Sequence, residues 1–420
     1  VPAHDPQSAD IARIPAATDV LVVGAGPAGS AAAAWAARRG HEVVLIDAAA
    51  FPRDKTCGDG LTPRAVGELD RLGLGDWVRS RAVNRGLKLA GFGHTQVIPW
   101  PGGVLPTVGS AVARTELDDR IRTVAVEAGA TAVHAKAVSV KRADARVESV
   151  TVQTPAGGQT ITCRTLIVAD GVRSPIGKQL GRTWHRDSAY GVAARAYAKT
   201  ERSTEEWISS DLELRDTEGG LQPGYGWVFP LANGEVNIGV GSLATLKRPA
   251  DVALRPLLEQ YTRLRTDDWQ FEGPLRAVSS ALLPMGGAVS GIAGPNWALV
   301  GDSAACVNPL NGEGIDYGLE GGRMLADLLD EPDLTLVWPE TLRAHYGRAF
   351  SVARRIAEAT THPRVLPMAG PRALRSAAVM RVAVRLMGNL VTDEDVDFVA
   401  RLWRGAGQAS VWTDRRPLFA

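Results

Sequence analysis

Apolar and polar positions divide the 420-residue chain into three regimes. The first opens with Asp19 and the apolar run to Val23, then glycines at 24, 26 and 29, then the small-residue stretch Ser30 to Arg39. A short apolar run before a glycine turn predicts a buried strand, and the alanine-rich stretch predicts a helix packed close to it. Gly40 ends that helix after Arg38 and Arg39, and His41 to Ile46 predicts a second strand that closes on Asp47. Leu61 to Leu72 reads as a helix started by Thr62 and Pro63. Leu87 to Phe92 and Gln96 to Trp100 have strand character. Arg114 to Glu127 predicts a helix with Leu117, Ile121, Val124 and Ala125 on one face. Alternation at Val133, Ala135, Ala137 and Ser139 predicts strands, Val147 to Gln159 a hairpin turning at Pro155-Ala-Gly-Gly158, and Thr165 to Asp170 a short buried strand.

From about Tyr190 to Leu283 the alternating runs lengthen, as in Gly191 to Tyr197, Trp207 to Leu214, Tyr225 to Phe229 and Val236 to Val240, and predict an antiparallel sheet able to cover an apolar ligand. At Asn296 to Gly301 the strand-to-turn pattern of the first regime returns, and beyond Thr341 the chain reads as helical. The expected architecture is α/β: a doubly wound, Rossmann-like layer from 17–75, 106–185 and 285–335, an antiparallel-sheet domain from 76–105 and 186–284, and a helical C-terminal region, 336–420.

Three glycines between strand and helix put backbone N–H groups and a positive helix end where a pyrophosphate sits. Gly24 allows the turn, Gly26 lets the backbone approach the phosphates, and Gly29 lets the helix pack on the strand, with Pro27 and Ala28 between them. Asp47, with Ala48 after it, suits a ribose 2′-hydroxyl and repels a 2′-phosphate, so FAD or NAD fits this turn and NADP does not. A second glycine element decides between the two. Gly301-Asp302 follows a buried strand, and Asp302 is placed to accept from a ribityl hydroxyl. Pro309-Leu-Asn-Gly-Glu-Gly314 then opens a helix expected to reach Leu329. N–H groups around Gly312, Glu313, Gly314 and Ile315 suit the negative charge that a reduced flavin carries on its pyrimidine side, a need NAD lacks. Each turn alone also reads as a packing turn. Together, with Asp170-Gly171 and Ala137 at neighbouring strand positions, they predict FAD.

Composition narrows the setting. Hydrophobic content of 45% and charged content of 22% are those of a folded protein of two or three domains, and a net charge of +1 gives no reason to expect a nucleic-acid partner. Cys57, Cys163 and Cys306 show neither paired nor metal-like spacing, which suits a reducing cytosol and predicts no metal site. No stretch approaches the length of a spanning helix, and Val1 to Pro15 reads as a loose tail. Thr341 to Arg385, however, carries nine arginines against one acid, Glu358. In it Val379, Met380, Ala383, Leu386, Met387 and Leu390 share a helical face opposite Arg381, Arg385, Asn389 and Thr392. This is either a membrane-surface helix or a helix packed on its own domain with a solvated basic face.

Several signatures resemble the geranylgeranyl reductase family of FAD-dependent oxidoreductases, within the para-hydroxybenzoate-hydroxylase-like superfamily. They are Lys55-Thr-Cys-Gly-Asp-Gly-Leu-Thr-Pro-Arg64, Arg114-Thr-Glu-Leu-Asp118, Tyr225-Gly-Trp-Val-Phe-Pro230, Asn237-Ile-Gly-Val-Gly241 and the Gly301 to Gly314 run. Gly181-Arg-Thr-Trp-His185, Ala281-Leu-Leu-Pro-Met-Gly-Gly287 and the Arg-rich C-terminal part resemble the branch that saturates one isoprene unit of a menaquinone tail. Ser303 departs from the alanine more usual in the family. The resemblance implies that Arg114 contacts the pyrophosphate or ribose side of FAD, that Cys57, Gly58, Asp59 and Gly60 lie against the isoalloxazine, and that Tyr225, Trp227 and Phe229 line a lipid pocket. A guanidinium suits phosphate and an aromatic strip suits a prenyl chain. The residues alone leave open Arg114 as a surface charge and the strip as sheet core. Cys57 reads alone as a small buried residue, Cys306 as packing, and His185 as structural.

The reaction implied is reduction of an isolated alkene in menaquinone or a geranylgeranyl compound, hydride coming from reduced FAD and a proton from a candidate donor, Cys57 or Tyr225. With a single dinucleotide fingerprint, electrons are expected from transiently bound NAD(P)H or a redox protein. A polyisoprenoid substrate favours a cytoplasmic protein peripheral on the inner face of the cell membrane. Two rivals share the pattern: an aromatic hydroxylase or epoxidase, and a non-catalytic prenyl-lipid binder on a flavin fold.

Overall fold

The apolar run after Thr18 becomes a central strand of an eight-stranded sheet in the computed structural model, which describes residues 14–414 and 417–420. Apart from Ile14 and Pro15, the expected leading tail lies outside the described residues. Ala17–Val23 pairs in parallel with Val43–Asp47 on one side and Gly157–Val168 on the other, and Thr131–His134 and Trp297–Leu299 extend the parallel core. Val20, Leu21 and Val22 are fully buried, as a strand covered on both faces requires. Lys136–Ala143, Arg146–Thr154 and the first half of Gly157–Val168 form an antiparallel ribbon. The short strand expected at 165–170 is therefore the end of a twelve-residue strand whose beginning makes the hairpin.

The helix after the glycine turn, Pro27–Arg38, lies against Arg114–Glu127 and Ile315–Ala326. Small residues make the second contact close: a Cβ on Gly322 would stand 2.7 Å from the Ala28 carbonyl oxygen.

The second sheet has seven strands in the order Glu272–Leu283, Tyr190–Lys199, Glu235–Ala244, Gly224–Pro230, Trp207–Asp211, Gly86–Gly91, His94–Pro99. All neighbours are antiparallel except Trp207–Asp211 beside Gly86–Gly91. The helix Leu254–Trp269 covers one face, packing Leu257, Leu258, Tyr261 and Trp269 on Ala194, Ala196, Val228, Ile238 and Val240. This helix corrects the expectation of sheet throughout 190–283. Its apolar positions have helical spacing but are interleaved with Arg255, Glu259, Arg263 and Arg265, which hide the period. Strand alternation turns Tyr225, Trp227 and Phe229 to the opposite face.

Helices Leu334–Leu342, Arg348–Thr360, Val365–Leu374, Ala377–Met387 and Phe398–Trp412 follow. Phe419 and Ala420 then return to the first layer, their N–H groups donating to Gly287 and Val289. Among the described residues no helix is long and apolar enough to cross a membrane. The Arg-rich stretch splits between its two readings. Ala377–Met387 buries Met380 and Val384 against Leu89, Ile98 and Ile208 of the seven-stranded sheet and Trp100 beside it, but Val379, expected on that packed face, is 49% exposed. Arg385, expected in solvent, pairs with Asp395 and Asp397, acids just beyond the segment whose charge was counted.

Trp338 ties this region to the first layer. It is fully buried, and its indole N–H donates to Leu299 O at 2.8 Å, at the end of the strand that leads into Gly301. Trp338→Ala is expected to cost about 3–5 kcal/mol, against about 1 kcal/mol for Trp338→Phe, which loses mainly the hydrogen bond; chemical denaturation measures both.

Candidate active site

Gly26 and the helix start after it build one wall of a deep cavity, and a carboxylate from the second strand holds the turn from behind. Gly24 has φ 102°, and a Cβ there would stand 2.3 Å from Ala169 O, so both conformation and space demand glycine. Asp47 Oδ2 accepts from Ala25 N at 2.7 Å and Oδ1 from Ala49 N at 2.9 Å, locking the turn to the second strand. No side chain caps the Pro27–Arg38 helix. Its first N–H groups lack helical partners by geometry, and a Cβ on Gly26 would meet only Arg53 Nη2, at 3.4 Å. That open slot before a positive helix end is suited to a pyrophosphate. Arg114 is buried: Nε and Nη2 hold Asp118 Oδ1 and Oδ2 at 2.6 and 2.7 Å, and the side chain also reaches the Cys57 sulfur. It is no surface charge.

The segment from Arg53 to Gly60 lines the cavity from Lys55 onward and is held from both layers. Arg53 pairs with Asp118 at 2.9 Å and Lys55 with Asp302 at 2.9 Å on the dinucleotide side. From the sheet, Arg195 Nη2 holds both Asp54 oxygens, at 2.5 and 2.7 Å, and Asn237 Nδ2 donates to Cys57 O at 2.8 Å and to Asp59 Oδ2 at 2.9 Å. Tyr197 OH donates to the same Asp59 oxygen at 2.8 Å. Asp59 sits at φ 63° and its Oδ1 has no partner among the described residues. Burial raises the Asp59 carboxyl to about 6, against the opposing pull of Asn237 and Tyr197. Burial likewise pushes the Cys57 thiol up, despite nearby Arg114.

The second glycine element supplies the opposite wall. Burial acts to raise Asp302, but Lys55 prevails, with Arg114 and Arg182 beyond it, and holds the carboxyl below its usual value. Ser303 Oγ lies 2.7 Å from both Val168 O and Val300 O, so its hydroxyl adds to the Val300 N–Val168 O bond a tie between turn and strand ends that alanine would lack. Tyr225 OH donates to Asn311 O at 2.6 Å, and burial pushes its phenol up.

The aromatic strip lies on the cavity face of the sheet. Trp227 stands 5.8 Å from Tyr225 and 6.1 Å from Phe229, centroid to centroid, and its Nε1 donates to Asn237 Oδ1 at 2.9 Å. A Cβ on Gly239 would lie 2.1 Å from the Trp227 ring, so glycine there lets the indole lie across the neighbouring strand.

One cavity gathers Gly26, Pro27, Ala28, the run Cys57 to Gly60, Arg114, Gly171, Gly301, Asp302, the run Gly312 to Ile315, Tyr225, Trp227 and Phe229. Gly24, Gly29, Asp47, Ala48, Ala137, Asp170 and Pro309 stand outside its wall. Asp170, for example, accepts from Ile176 N at 2.9 Å, holding the next helix rather than facing the cavity. Local sequence does not mark Tyr197, Arg195 and Asn237 as pins, although Asn237 opens the Asn237 to Gly241 motif. Nor does it mark that the cavity runs on between Leu87, Leu89, Trp100, Ile208 and Leu212 to Met380, Val384 and Met387. Helical spacing marked those last residues as one face, but not what they cover. Cys306 is buried as packing, and His185 Nε2 lies 2.9 Å from Ser290 Oγ, a structural position.

An uncapped helix end with a carboxylate-held turn at one side, and a glycine-rich helix start at the other, fit a flavin dinucleotide. Comparison with known proteins agrees. Residues 17–332 match the FAD binding domain family. The chain is 62% identical over 404 residues to "Menaquinone reductase" of Mycobacterium tuberculosis, covering 96% of this chain and 98% of that one. It is 28% identical to "Digeranylgeranylglycerophospholipid reductase 1" of Methanopyrus kandleri, covering 81% and 90%. A geranylgeranyl bacteriochlorophyll reductase-like protein of Thermoplasma acidophilum has the same fold, with a TM-score of 0.74 at 20% identity, covering 93% of this chain and 99% of that one. The chain belongs to the FAD-binding-domain family and, within it, is an FAD-dependent oxidoreductase of the geranylgeranyl reductase family.

Proposed function

We propose that this protein saturates a carbon–carbon double bond in the isoprenoid tail of menaquinone or a related prenyl lipid. The observation that carries the reading is the continuous apolar extension of the flavin cavity, past the aromatic strip and under the helix Ala377–Met387, a passage with the chemistry of a prenyl chain. The names of the relatives point the same way. Bound FAD, once reduced, supplies the hydride. The protein keeps water from the alkene, presents Trp227 and Phe229 as faces that stabilise developing positive charge, and holds a proton nearby. Cys57 and Tyr225 are weak acids made weaker by burial, whereas Asp59 is poised to hold a proton near neutrality and to release it. The reading therefore assigns the proton to Asp59, with Tyr197 and Asn237 orienting it. Electrons come from transiently bound NAD(P)H or a redox protein.

The same cavity also suits the two rivals, a flavin monooxygenase and a non-catalytic lipid binder. Incubating the reduced holoprotein with menaquinone and with geranylgeranyl diphosphate separates them by mass. Gain of two hydrogens is expected; gain of one oxygen, or unchanged lipid, would overturn the proposal.

If Asp59 donates as the acid, turnover of the loaded enzyme falls as pH rises through its pKa, about 6 before flavin and lipid displace water and higher with them. Asp59→Asn is expected to lose about 10²-fold or more in turnover and to abolish that alkaline limb. A variant that keeps the wild-type profile assigns the proton elsewhere.

Membrane attachment belongs to the same proposal: a peripheral protein on the cytoplasmic face. On the helix Phe398–Trp412, Phe398, Leu402 and Trp412 share one face at 78%, 61% and 79% exposure, and Arg372, Arg375 and Arg381 are exposed along the two helices that precede it in the chain and the turn between them. The holoprotein is expected to float with vesicles containing anionic lipid, less so at high salt, and the pair Phe398→Asp and Trp412→Asp to remain in the soluble fraction. Equal flotation of both proteins removes this surface from the reading.

A further inference from the structure

The two helix ends that face the flavin cavity differ in one respect. The Pro27 end has no side-chain cap. At the Ile315 end, Glu313 folds back so that Oε1 accepts from Ile315 N at 3.0 Å and from Asp316 N at 3.4 Å. Those N–H groups are the donors that suit the pyrimidine edge of a flavin, and Glu313 lines the same cavity. Behind it Asp316 is fully buried, Oδ1 accepting from Tyr317 N at 2.7 Å and Oδ2 from Asn389 Nδ2 at 3.4 Å. Arg64, the nearest cation to Asp316, donates to Asn389 O, Val391 O and Glu320. The groups facing Glu313 are Asp316 on its own helix, Arg114 from the helix Arg114–Glu127, Tyr225 from the sheet and Cys57 from the segment Arg53 to Gly60. Arg114 is committed to Asp118, and the thiol and phenol are neutral at ordinary pH.

Burial is the largest influence on Glu313 and raises its carboxyl above the usual range. Two carboxyls in so enclosed a space do not both stay ionised. A helix end offers a carboxylate about 0.3–1 kcal/mol, up to about 2 in the best geometry. A second negative charge about 4 Å away costs about 4 kcal/mol at the effective dielectric of such a site. A negative charge on a neighbouring ring therefore opposes the cap with an energy of the same order, and adds to the burial that already disfavours the charged form.

The geometry points to Glu313 as a redox-linked proton holder: a carboxylate on the Ile315 and Asp316 N–H groups while the flavin is oxidised, it takes up one proton and releases those groups when the flavin is reduced. In the balance, a two-electron donor such as dithionite or a reduced nicotinamide supplies both electrons, the flavin gains them with one proton, and a Glu313 oxygen gains a second proton from solvent. When hydride passes on to substrate, Glu313 returns its proton to solvent. The inference rests on the flavin reading of the cavity and not on which lipid is reduced.

Potentiometric titration of the FAD holoprotein above about pH 7, where burial still leaves Glu313 ionised in the oxidised protein, tests it. The wild-type midpoint potential is expected to fall by about 60 mV per pH unit, two protons for two electrons, and that of Glu313→Gln by about 30 mV per pH unit, one proton. Parallel slopes in the two proteins overturn the inference while leaving the flavin site intact. Should Glu313→Gln not retain flavin, infrared difference spectra of the wild type on reduction decide: a new protonated-carboxyl C=O band is expected, and its absence overturns the inference. Failure of the wild type itself to hold FAD would strike the reading of the cavity instead.

Discussion

The arrangement depends on one buried carboxyl. Asp59 lies between the dinucleotide layer and the seven-stranded sheet, and the hydrogen bonds from Asn237 and Tyr197 join the two across it. Each bond to the ionised form is worth about 1.5–3 kcal/mol, while desolvating the charge costs several. Desolvation wins, which is why the carboxyl rises to about 6, a net cost to the charged form of about 3 kcal/mol. The ion pairs of Asp54 with Arg195 and Lys55 with Asp302 hold the same segment on either side. The segment that carries Cys57 and Asp59 is thereby part of both layers, and the cavity wall at the flavin is stiff where chemistry needs it to be.

Around this pin the charges divide by task. At the fingerprint turn the helix end is left open and Asp47 is turned inward to hold the backbone, so that positive potential meets the cavity. Across the cavity, Asp302 stays ionised because Lys55 faces it, whereas Glu313 and Asp316 have no uncommitted cation and rise. The cavity therefore holds one carboxylate fixed in charge and others whose protonation responds to their surroundings.

The apolar side of the cavity is built from packing. Glycine at 239 lets Trp227 lie across its neighbour strand, and the indole N–H is satisfied by Asn237, so an aromatic wall and the Asp59 network share one residue. Beyond the strip, the walls come from strands near residue 90, strands near residue 210 and a helix near residue 380, three parts of the chain that only the fold brings together.

Much of the first layer was legible in the chain. Strands buried on both faces need continuous apolar runs, and the glycine turns occur where backbone must approach backbone, so local sequence suffices for β-strand, turn, helix and second strand. The same local logic located both helix starts at the flavin cavity and the alternating aromatic strip. What lay beyond it were relations at long range: Tyr197 and Asn237 meeting Asp59, Arg385 meeting acids outside its own segment, and the helix Leu254–Trp269 concealed by interleaved charges. Whether Arg114 was surface or core, and whether Asp59 holds a proton, depended on burial and on partners brought in from distant segments. Sequence by itself determined the pieces and the class of ligand they grip; the tertiary structure decided which charges are paired and which are left free to titrate, because desolvation and Coulomb interaction act through space rather than along the chain.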